Sequence, residues 1–137
     1  MGMMGSKFRF SQRSIHNLDV KDELKRVAFR ALELSPYDFI VTDGGRTLAE
    51  QREYVKTGKS QTMHSRHLGG FALDFVAWVG GKVTYDHQYM KAIADAFKRA
   101  GDELLGVGHI EWGGDWHSFV DTPHIQLSAK YYPDKAA

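Results

Sequence analysis

The chain contains no cysteine and only three prolines in 137 residues. Without thiols it can form neither disulfides nor thiolate bonds to a metal, so any metal site must use His, Asp, Glu or water. Positive and negative charges are also nearly balanced. The chain has 18 Lys and Arg and 17 Asp and Glu, which gives a formal net charge of +1. A protein that binds nucleic acid through its phosphates usually has a clear basic excess. We therefore expect no nucleic-acid partner.

Long apolar segments are missing as well. No run of about 18 apolar residues occurs, the length that a membrane-spanning helix requires, so we expect no stable membrane insertion. The polar N-terminal segment, residues 1–10, lacks the apolar stretch of about 7 to 15 residues that a secretory signal contains. The sequence thus predicts no signal peptide and a protein that stays in the cytoplasm of the cell that makes it.

The chain does contain enough apolar material for one compact domain. Hydrophobic residues make up 42% of it, including 8 Phe, 6 Tyr and 3 Trp. No repeat or low-complexity linker divides the sequence. We therefore expect residues 1–137 to form a single catalytic domain with its core at about residues 19–127, and we expect the protein to act as a monomer.

Hydrophobic spacing and end signals predict three helices. They cover residues 19–34, 47–56 and 87–100. Asp19 is expected to cap the first helix, and Thr47 with Glu50 completes a capping box at the start of the second. Gly101 is expected to end the third.

Short β-prone runs alternate with these helices. They lie at residues 39–42, 71–79, 82–85 and 124–127. Gly80 and Gly81 separate the second run from the third, as in a tight hairpin. The whole pattern predicts an α+β fold with a small antiparallel sheet.

A histidine and an aspartate lie seven residues apart, at His67 and Asp74, with two glycines between them. Gly69 and Gly70 allow the chain to turn sharply, so both side chains can point to one spot. Imidazole and carboxylate are good zinc ligands, and a catalytic zinc site usually has three protein ligands and one open position. We therefore look for a third ligand elsewhere.

Such a ligand is offered by His124, which follows Asp121 by three residues with the rigid Pro123 in between. Asp121 can then reach the attacking water instead of the metal. Taken singly, each of these residues is equally typical of a loop or a helix cap. Spacing alone therefore leaves a purely structural role open.

A family resemblance extends these observations. Ser65, His67, Gly70, Ala72 and Asp74 match the motif S-x-H-x-x-G-x-A-x-D, and Asp121 and His124 match a later acid-x-x-His. Further matches are Ser35-Pro36-Tyr37, Gly44-x-Arg46-Thr47 and Trp112-Gly113-Gly114-Asp115-Trp116. In these residues the chain resembles the VanY-like zinc peptidases, a family of D-alanyl-D-alanine carboxypeptidases and L-alanyl-D-glutamate endopeptidases that includes small phage endolysins. The resemblance covers about residues 19–127.

The resemblance implies a fold of the hedgehog and D,D-peptidase-like type, in which a small antiparallel sheet flanked by helices carries one zinc ion. The family's zinc ligands correspond to His67, Asp74 and His124. Its general base corresponds to Asp121, and the arginine that stabilises the reacting carbonyl corresponds to Arg46. Because a guanidinium also fits a carboxylate, Arg46 could instead anchor the substrate.

Weaker candidates for substrate binding, or for contacts behind the ligands, are Ser65, Trp116 and His117. Ser65 is equally suited to a local turn, and Trp116 to a cleft wall. The remaining histidines are expected to be loop or surface residues: His16, His64, His87 and His109.

Together these features predict a zinc peptidase that cleaves the stem peptide of bacterial peptidoglycan, at the L-alanyl-D-glutamate bond, and that serves a phage as its endolysin. Such an enzyme stays in the host cytoplasm until lysis and then acts in the periplasm and cell wall. One alternative is a D,D-carboxypeptidase or dipeptidase that removes terminal D-alanine. Another is a non-catalytic wall-binding or zinc-structural domain, against which Asp121 argues because a closed structural site needs no adjacent base.

Overall fold

The computed structural model describes residues 8–60, 62–63 and 65–133. Within these ranges five strands are formed: β1 (Asp38–Asp43), β2 (Ala72–Val79), β3 (Lys82–Thr84), β4 (Ile110–Trp112) and β5 (His124–Leu127). The helices are α1 (Gln12–Asn17), α2 (Asp22–Leu34), α3 (Leu48–Lys56) and α4 (His87–Leu104), with a 3-10 turn at Gly113–Asp115. No helix in the described ranges is long and apolar enough to cross a bilayer. His64 and residues 1–7, part of the segment that predicts no signal peptide, lie outside the described residues.

The strands form one antiparallel sheet in the order β1-β2-β5-β4, and β3 pairs with the far end of β2. This confirms the predicted α+β fold. Alternate residues of a strand point to opposite faces. Leu73 and Phe75 of β2 and Ile125 and Leu127 of β5 belong to the core beneath α2 and α4. The residues between them therefore point to the other, open face of the sheet.

Helix α2 packs its apolar stripe against this core but begins later than its sequence predicts. The prediction that Asp19 caps it is wrong, because Lys21 stands at the N-cap position and makes no side-chain cap. The backbone here is engaged elsewhere: the carbonyl of Asp19 accepts from the N–H of Gly45 at 3.0 Å, and Lys21 donates to the carbonyl of Gly70 at 2.9 Å. The chain can turn into a helix only after these contacts with two other loops.

Helix α3 and the hairpin follow local signals and are confirmed. The side chain of Thr47 accepts from the N–H of Glu50, whose own side chain accepts from the N–H of Thr47. Gly58 lies just beyond the helix with a φ of +82°. Gly80 and Gly81, with φ values of +63° and +81°, form the turn between β2 and β3.

The sequence patterns do not predict helix α1, which the structure contains. Its six residues are too few to show a hydrophobic period, although Ser11 caps it by accepting from the N–H of Ser14. The helix supplies partners to β1 at the edge of the sheet. The hydroxyl of Ser14 accepts from the N–H of Val41 at 3.0 Å, and the amide of Asn17 donates to the carbonyl of Val41 at 2.9 Å. Side chains of α1 thus replace a neighbouring strand.

Helix α4 continues through Gly101 to Leu104, so the prediction that this glycine ends the helix is wrong. A Cβ at position 101 would lie 2.3 Å from Cγ1 of Ile110 on β4. Gly101 is therefore a contact point at which the helix and the strand approach closely.

This contact reverses the usual effect of alanine in a helix. Gly-to-Ala normally stabilises a helix interior by about 1 kcal/mol, but we expect Gly101→Ala to lower the free energy of unfolding by about 1 to 3 kcal/mol through overpacking. Urea unfolding measures the change. In an Ile110→Ala background the same substitution should cost less, and a gain of stability in the parent protein would contradict the assignment.

Candidate metal and catalytic site

Two histidines and an aspartate converge on the open face of the sheet. Asp74 of β2 is paired directly with His124 of β5, and His67 approaches from the loop before β2. Oδ1 of Asp74 lies 3.2 Å from Nε2 of His67 and 3.5 Å from Nδ1 of His124. One donor atom from each residue lies within 4.8 Å of the others, so the three can hold one metal ion.

Backbone contacts fix the ring of His67. Its Nδ1 lies 2.8 Å from the carbonyl of Gly44, and its own carbonyl accepts from the N–H of Arg46 at 2.8 Å. The next turn has φ values of +83° at Gly69 and +84° at Gly70, as the sequence predicts. When Nδ1–H donates to Gly44, the Nε2 lone pair is directed at Asp74.

The ring of His124 is held from its other side. Its Nε2 lies 2.8 Å from Oε1 of Gln126, whose Nε2 donates to Oε1 of Glu111 at 3.0 Å. With Nε2–H donating to Gln126, the Nδ1 lone pair faces Asp74. Both histidines thus direct an acceptor nitrogen toward a carboxylate oxygen, an arrangement that requires a proton or a metal ion between them.

The pKa values of Asp74, His124 and Asp121 are shifted in this cluster. Burial opposes ionisation of Asp74, but hydrogen bonds with His124 and His67 outweigh it and hold the pKa of Asp74 well below its usual range. Burial also opposes a charge on His124, yet hydrogen bonds with Asp74 and Gln126 raise its pKa. Partial burial and the negative charge of Asp74 raise the pKa of Asp121. The cluster therefore attracts positive charge to its centre.

Asp121 stands at the rim of the cluster, with Oδ2 4.0 Å from Nδ1 of His124 and 49% of its side chain exposed. Its N–H donates to the carbonyl of Gly113 at 3.0 Å. A Cβ at Gly113 would lie 2.3 Å from the carbonyl oxygen of Asp121. The indole of Trp112 donates to the carbonyl of Thr122 at 2.7 Å. Trp112 and Gly113 therefore set the position of Asp121.

Arg46 lies beside His67, and its guanidinium is largely engaged. Nη2 donates to Asp43 at 2.6 Å, and Nη1 donates to Gln51 at 3.0 Å and to Ser65 at 3.3 Å. The guanidinium carbon lies 4.3 Å from the ring centroid of Tyr54. These contacts fix the cation in one orientation.

A cavity of about 370 Å³ joins these groups. Its lining includes most of the predicted site residues: Arg46, Ser65, His67, Asp74, Trp116, Asp121 and His124. The Trp116 ring lies 5.2 Å from that of His124, and the Ser65 hydroxyl accepts from Arg46 and from the N–H of His67. His117 is exposed and is not part of the lining.

Residues that the sequence does not single out also contribute to the site. They are Asp43, Lys59, Glu111 and Gln126. Gln126 and His124 lie two residues apart on β5, which puts both side chains on one face. That periodicity is a usable sequence signal for Gln126, whereas Glu111 becomes visible only when β4 is paired with β5.

The donor set fits a divalent metal ion on chemical grounds. Two imidazoles and one carboxylate form a common ligand set for zinc and related first-row metals. Each histidine has its other nitrogen engaged, as metal-binding histidines usually do. The cavity beside the donors leaves room for a substrate, unlike a closed structural site.

Comparison with known proteins agrees with this arrangement. Residues 6–129 match the family model for phage L-alanyl-D-glutamate peptidase. The chain is 40% identical over 119 residues to the L-alanyl-D-glutamate peptidase of Escherichia phage T5, covering 83% of this chain and 85% of that protein. It is 35% identical over 127 residues to the peptidase of the same name from Listeria phage A118, covering 90% of this chain but only 43% of that protein.

A solved structure supports the same relationship. The crystal structure of Serratia marcescens L-Ala D-Glu endopeptidase ChiX is 44% identical in sequence and superposes with a TM-score of 0.80. The match covers 93% of this chain and 95% of that one. With nearly the whole chain matched by both the family model and this fold, the protein belongs to the phage L-alanyl-D-glutamate peptidase family.

Proposed function

We propose that this protein is a zinc-dependent endopeptidase that hydrolyses the bond between L-alanine and D-glutamate in the stem peptide of peptidoglycan. One observation carries the proposal: the donors His67, Asp74 and His124 meet Asp121 in a single open cavity, in a chain of this family. A bound zinc ion supplies Lewis acidity, which lowers the pKa of water to about 7 and polarises a carbonyl group. The three donors would hold this ion.

Asp121 is proposed as the general base and acid. Its carboxylate reaches the cavity beside His124 without being one of the three converging donors. Its raised pKa brings it closer to the pH at which a group can both accept and return a proton. Asp121 would take the proton of the attacking water and deliver it to the leaving amine of D-glutamate.

Arg46 is proposed to stabilise the negative charge that develops on the reacting carbonyl. Asp43, Gln51 and Ser65 hold its guanidinium in place, so little reorganisation is needed as that charge appears. The same contacts use both N–H groups of Nη1 and one of Nη2. Nε of Arg46 is buried without a hydrogen-bond partner, so the N–H groups of Nε and Nη2 are the ones left to meet the reacting oxygen or a substrate carboxylate.

We further propose that the protein serves a phage as an endolysin, held in the host cytoplasm until lysis and acting then as a monomer on the wall. Similarity to proteins of two phages, over 83% and 90% of this chain, supports this role. Digestion of purified sacculi identifies the bond that is cleaved. New L-alanine carboxyl ends and D-glutamate amino ends are expected, and free D-alanine as the main product would instead indicate a D,D-carboxypeptidase.

Removal of the metal should abolish hydrolysis. Treatment with a chelator is expected to stop release of peptides from sacculi, and added zinc should restore it. His67→Ala should lower the bound zinc measured by elemental analysis, because it deletes one of three ligands. His16→Ala, which changes an exposed histidine on α1, is the matched control. Full activity of the chelated protein would refute the zinc proposal.

Asp121→Asn should separate binding from catalysis. We expect zinc content to remain and kcat to fall by about 10² to 10⁴, since general acid and base catalysis contributes on that order. Asp95→Asn is the control, because Asp95 is similarly exposed, at 48%, and lies on α4 outside the cavity lining. Undiminished turnover of Asp121→Asn would remove this residue from the mechanism.

A further inference from the structure

We propose that Glu111 is a positioning residue that acts through Gln126 to select which ring nitrogen of His124 faces the metal site. The inference rests on the proposed metal site and adds to it a pair of residues that hold no metal themselves. Glu111 and Gln126 are directly opposed across β4 and β5, and Gln126 shares a face of β5 with His124. The three side chains therefore form a row on the open face of the sheet.

The direction of the hydrogen bonds is set at the outer end of this row. A carboxylate can only accept, so Glu111 binds the NH₂ group of Gln126, with 3.0 Å between Oε1 and Nε2. The amide oxygen of Gln126 must then face His124, 2.8 Å from its Nε2. An oxygen acceptor at that point requires a proton on Nε2 of His124. The lone pair is left on Nδ1, the nitrogen that faces Asp74.

Burial makes this selection necessary. Gln126 is only 7% exposed and His124 equally so, which leaves little access for water to correct a wrong orientation. If the amide of Gln126 turned over, its NH₂ group would face Nε2 of His124. The ring proton would then move to Nδ1 and block the proposed ligand atom. Glu111 prevents this by accepting only from the NH₂ group.

Substitutions that remove the carboxylate of Glu111, or exchange it with the amide of Gln126, test the proposal. E111Q allows the amide of Gln126 to adopt both orientations, and E111L leaves it without its acceptor. Both should weaken zinc binding, by about 10- to 100-fold where the outer contact is lost entirely. The double variant E111Q/Q126E places a carboxylate next to His124 and an amide behind it, which restores an acceptor at Nε2. Zinc affinity should recover in the double variant.

Two measurements carry the test. Competition with a chromophoric chelator gives the zinc dissociation constant, and ¹⁵N chemical shifts of the metal-free protein report the tautomer of His124. In E111L, Nε2 of His124 should lose its proton, whereas the parent protein and the double variant should keep it. Unchanged zinc affinity and an unchanged tautomer in E111L would overturn the proposal. The tautomer measurement needs no zinc, so it remains decisive even if the parent protein proves to bind none.

A different observation, the charge balance of the cavity, leads us to infer that Lys59 binds a carboxylate of the substrate. Glutamate has two carboxyl groups and a peptide chain continues through only one, so the residue after the proposed scissile bond keeps one negative charge. Lys59 lines the same cavity as the metal donors, is exposed and has no acidic partner among the described residues. This inference also rests on the proposed function.

The other cations of the cavity are already engaged. Arg46 forms an ion pair with Asp43 at 2.6 Å. Arg66 donates to the carbonyls of Leu127 and Tyr132, at 2.7 Å and 2.9 Å. Lys59 is therefore the cation best placed to contribute a net charge to an incoming ligand.

The Tyr54 ring lies close to both cations. Nζ of Lys59 lies 5.5 Å from the centre of the Tyr54 ring, and the same ring contacts Arg46. The ammonium group and the guanidinium therefore lie near the same ring. A carboxylate bound there by Lys59 would leave the neighbouring carbonyl within the region of Arg46.

Two synthetic stem peptides test this selectivity, one with the free glutamate carboxylate and one with that group as a carboxamide. The parent protein should cleave the acidic peptide with the higher kcat/KM. K59M should reduce this preference by about two- to fivefold, as expected for one partly exposed charge pair, and K59R should retain it. K56M, at the exposed end of α3, is the control.

Persistence of the full preference in K59M would overturn the role of Lys59. A loss of kcat/KM in K59M that is larger for the acidic peptide than for the amidated one would support it. Failure of the proposed function is a distinct outcome, because the parent protein would then cleave neither peptide.

Discussion

The register between β2 and β5 is the constraint on which the site depends. It sets Asp74 opposite His124, while the alternate residues of the same strands enter the core: Leu73, Phe75, Ile125 and Leu127. A slip of one residue would turn the donors inward and expose the apolar side chains. Burial of these apolar side chains therefore holds the donors together. The lone pairs of the donor atoms do not have to attract one another for the site to form.

Loops bring the remaining groups to this face through direct backbone contacts. The segment before α2 bonds to the loop after β1 and to the loop before β2, and the latter two bond to each other through Arg46 and His67. A Cβ at Gly44 would lie 1.9 Å from the carbonyl oxygen of Asn17, so the chain cannot come this close with any larger residue. Glycines in such a motif can therefore reflect packing of the loops as much as chemistry.

Local signals in the sequence predicted most of the fold. The capping box at Thr47 and the glycine hairpin involve neighbours in the chain, and helical periodicity found the buried faces of α2 and α4. Errors arose where a distant contact decided the outcome. Gly101 looks like a helix end but accommodates Ile110, and Asp19 looks like a cap but binds the loop at Gly45.

The site was predictable to a similar extent. Family motifs pointed to the residues that converge, because those motifs record the donors themselves. They did not point to Glu111 or Gln126, whose relation to His124 arises from strand pairing. Nor did they show that Arg46 is already engaged by Asp43, a contact that requires the three-dimensional arrangement of the loop after β1.

The free edge of β1 bears on whether the protein associates with itself in solution. The outer strand of a sheet normally offers free N–H and C=O groups that can recruit a strand from another molecule. At Val41 both groups are taken by side chains of α1, from Ser14 and Asn17. At this position the edge therefore cannot act as a template for self-association.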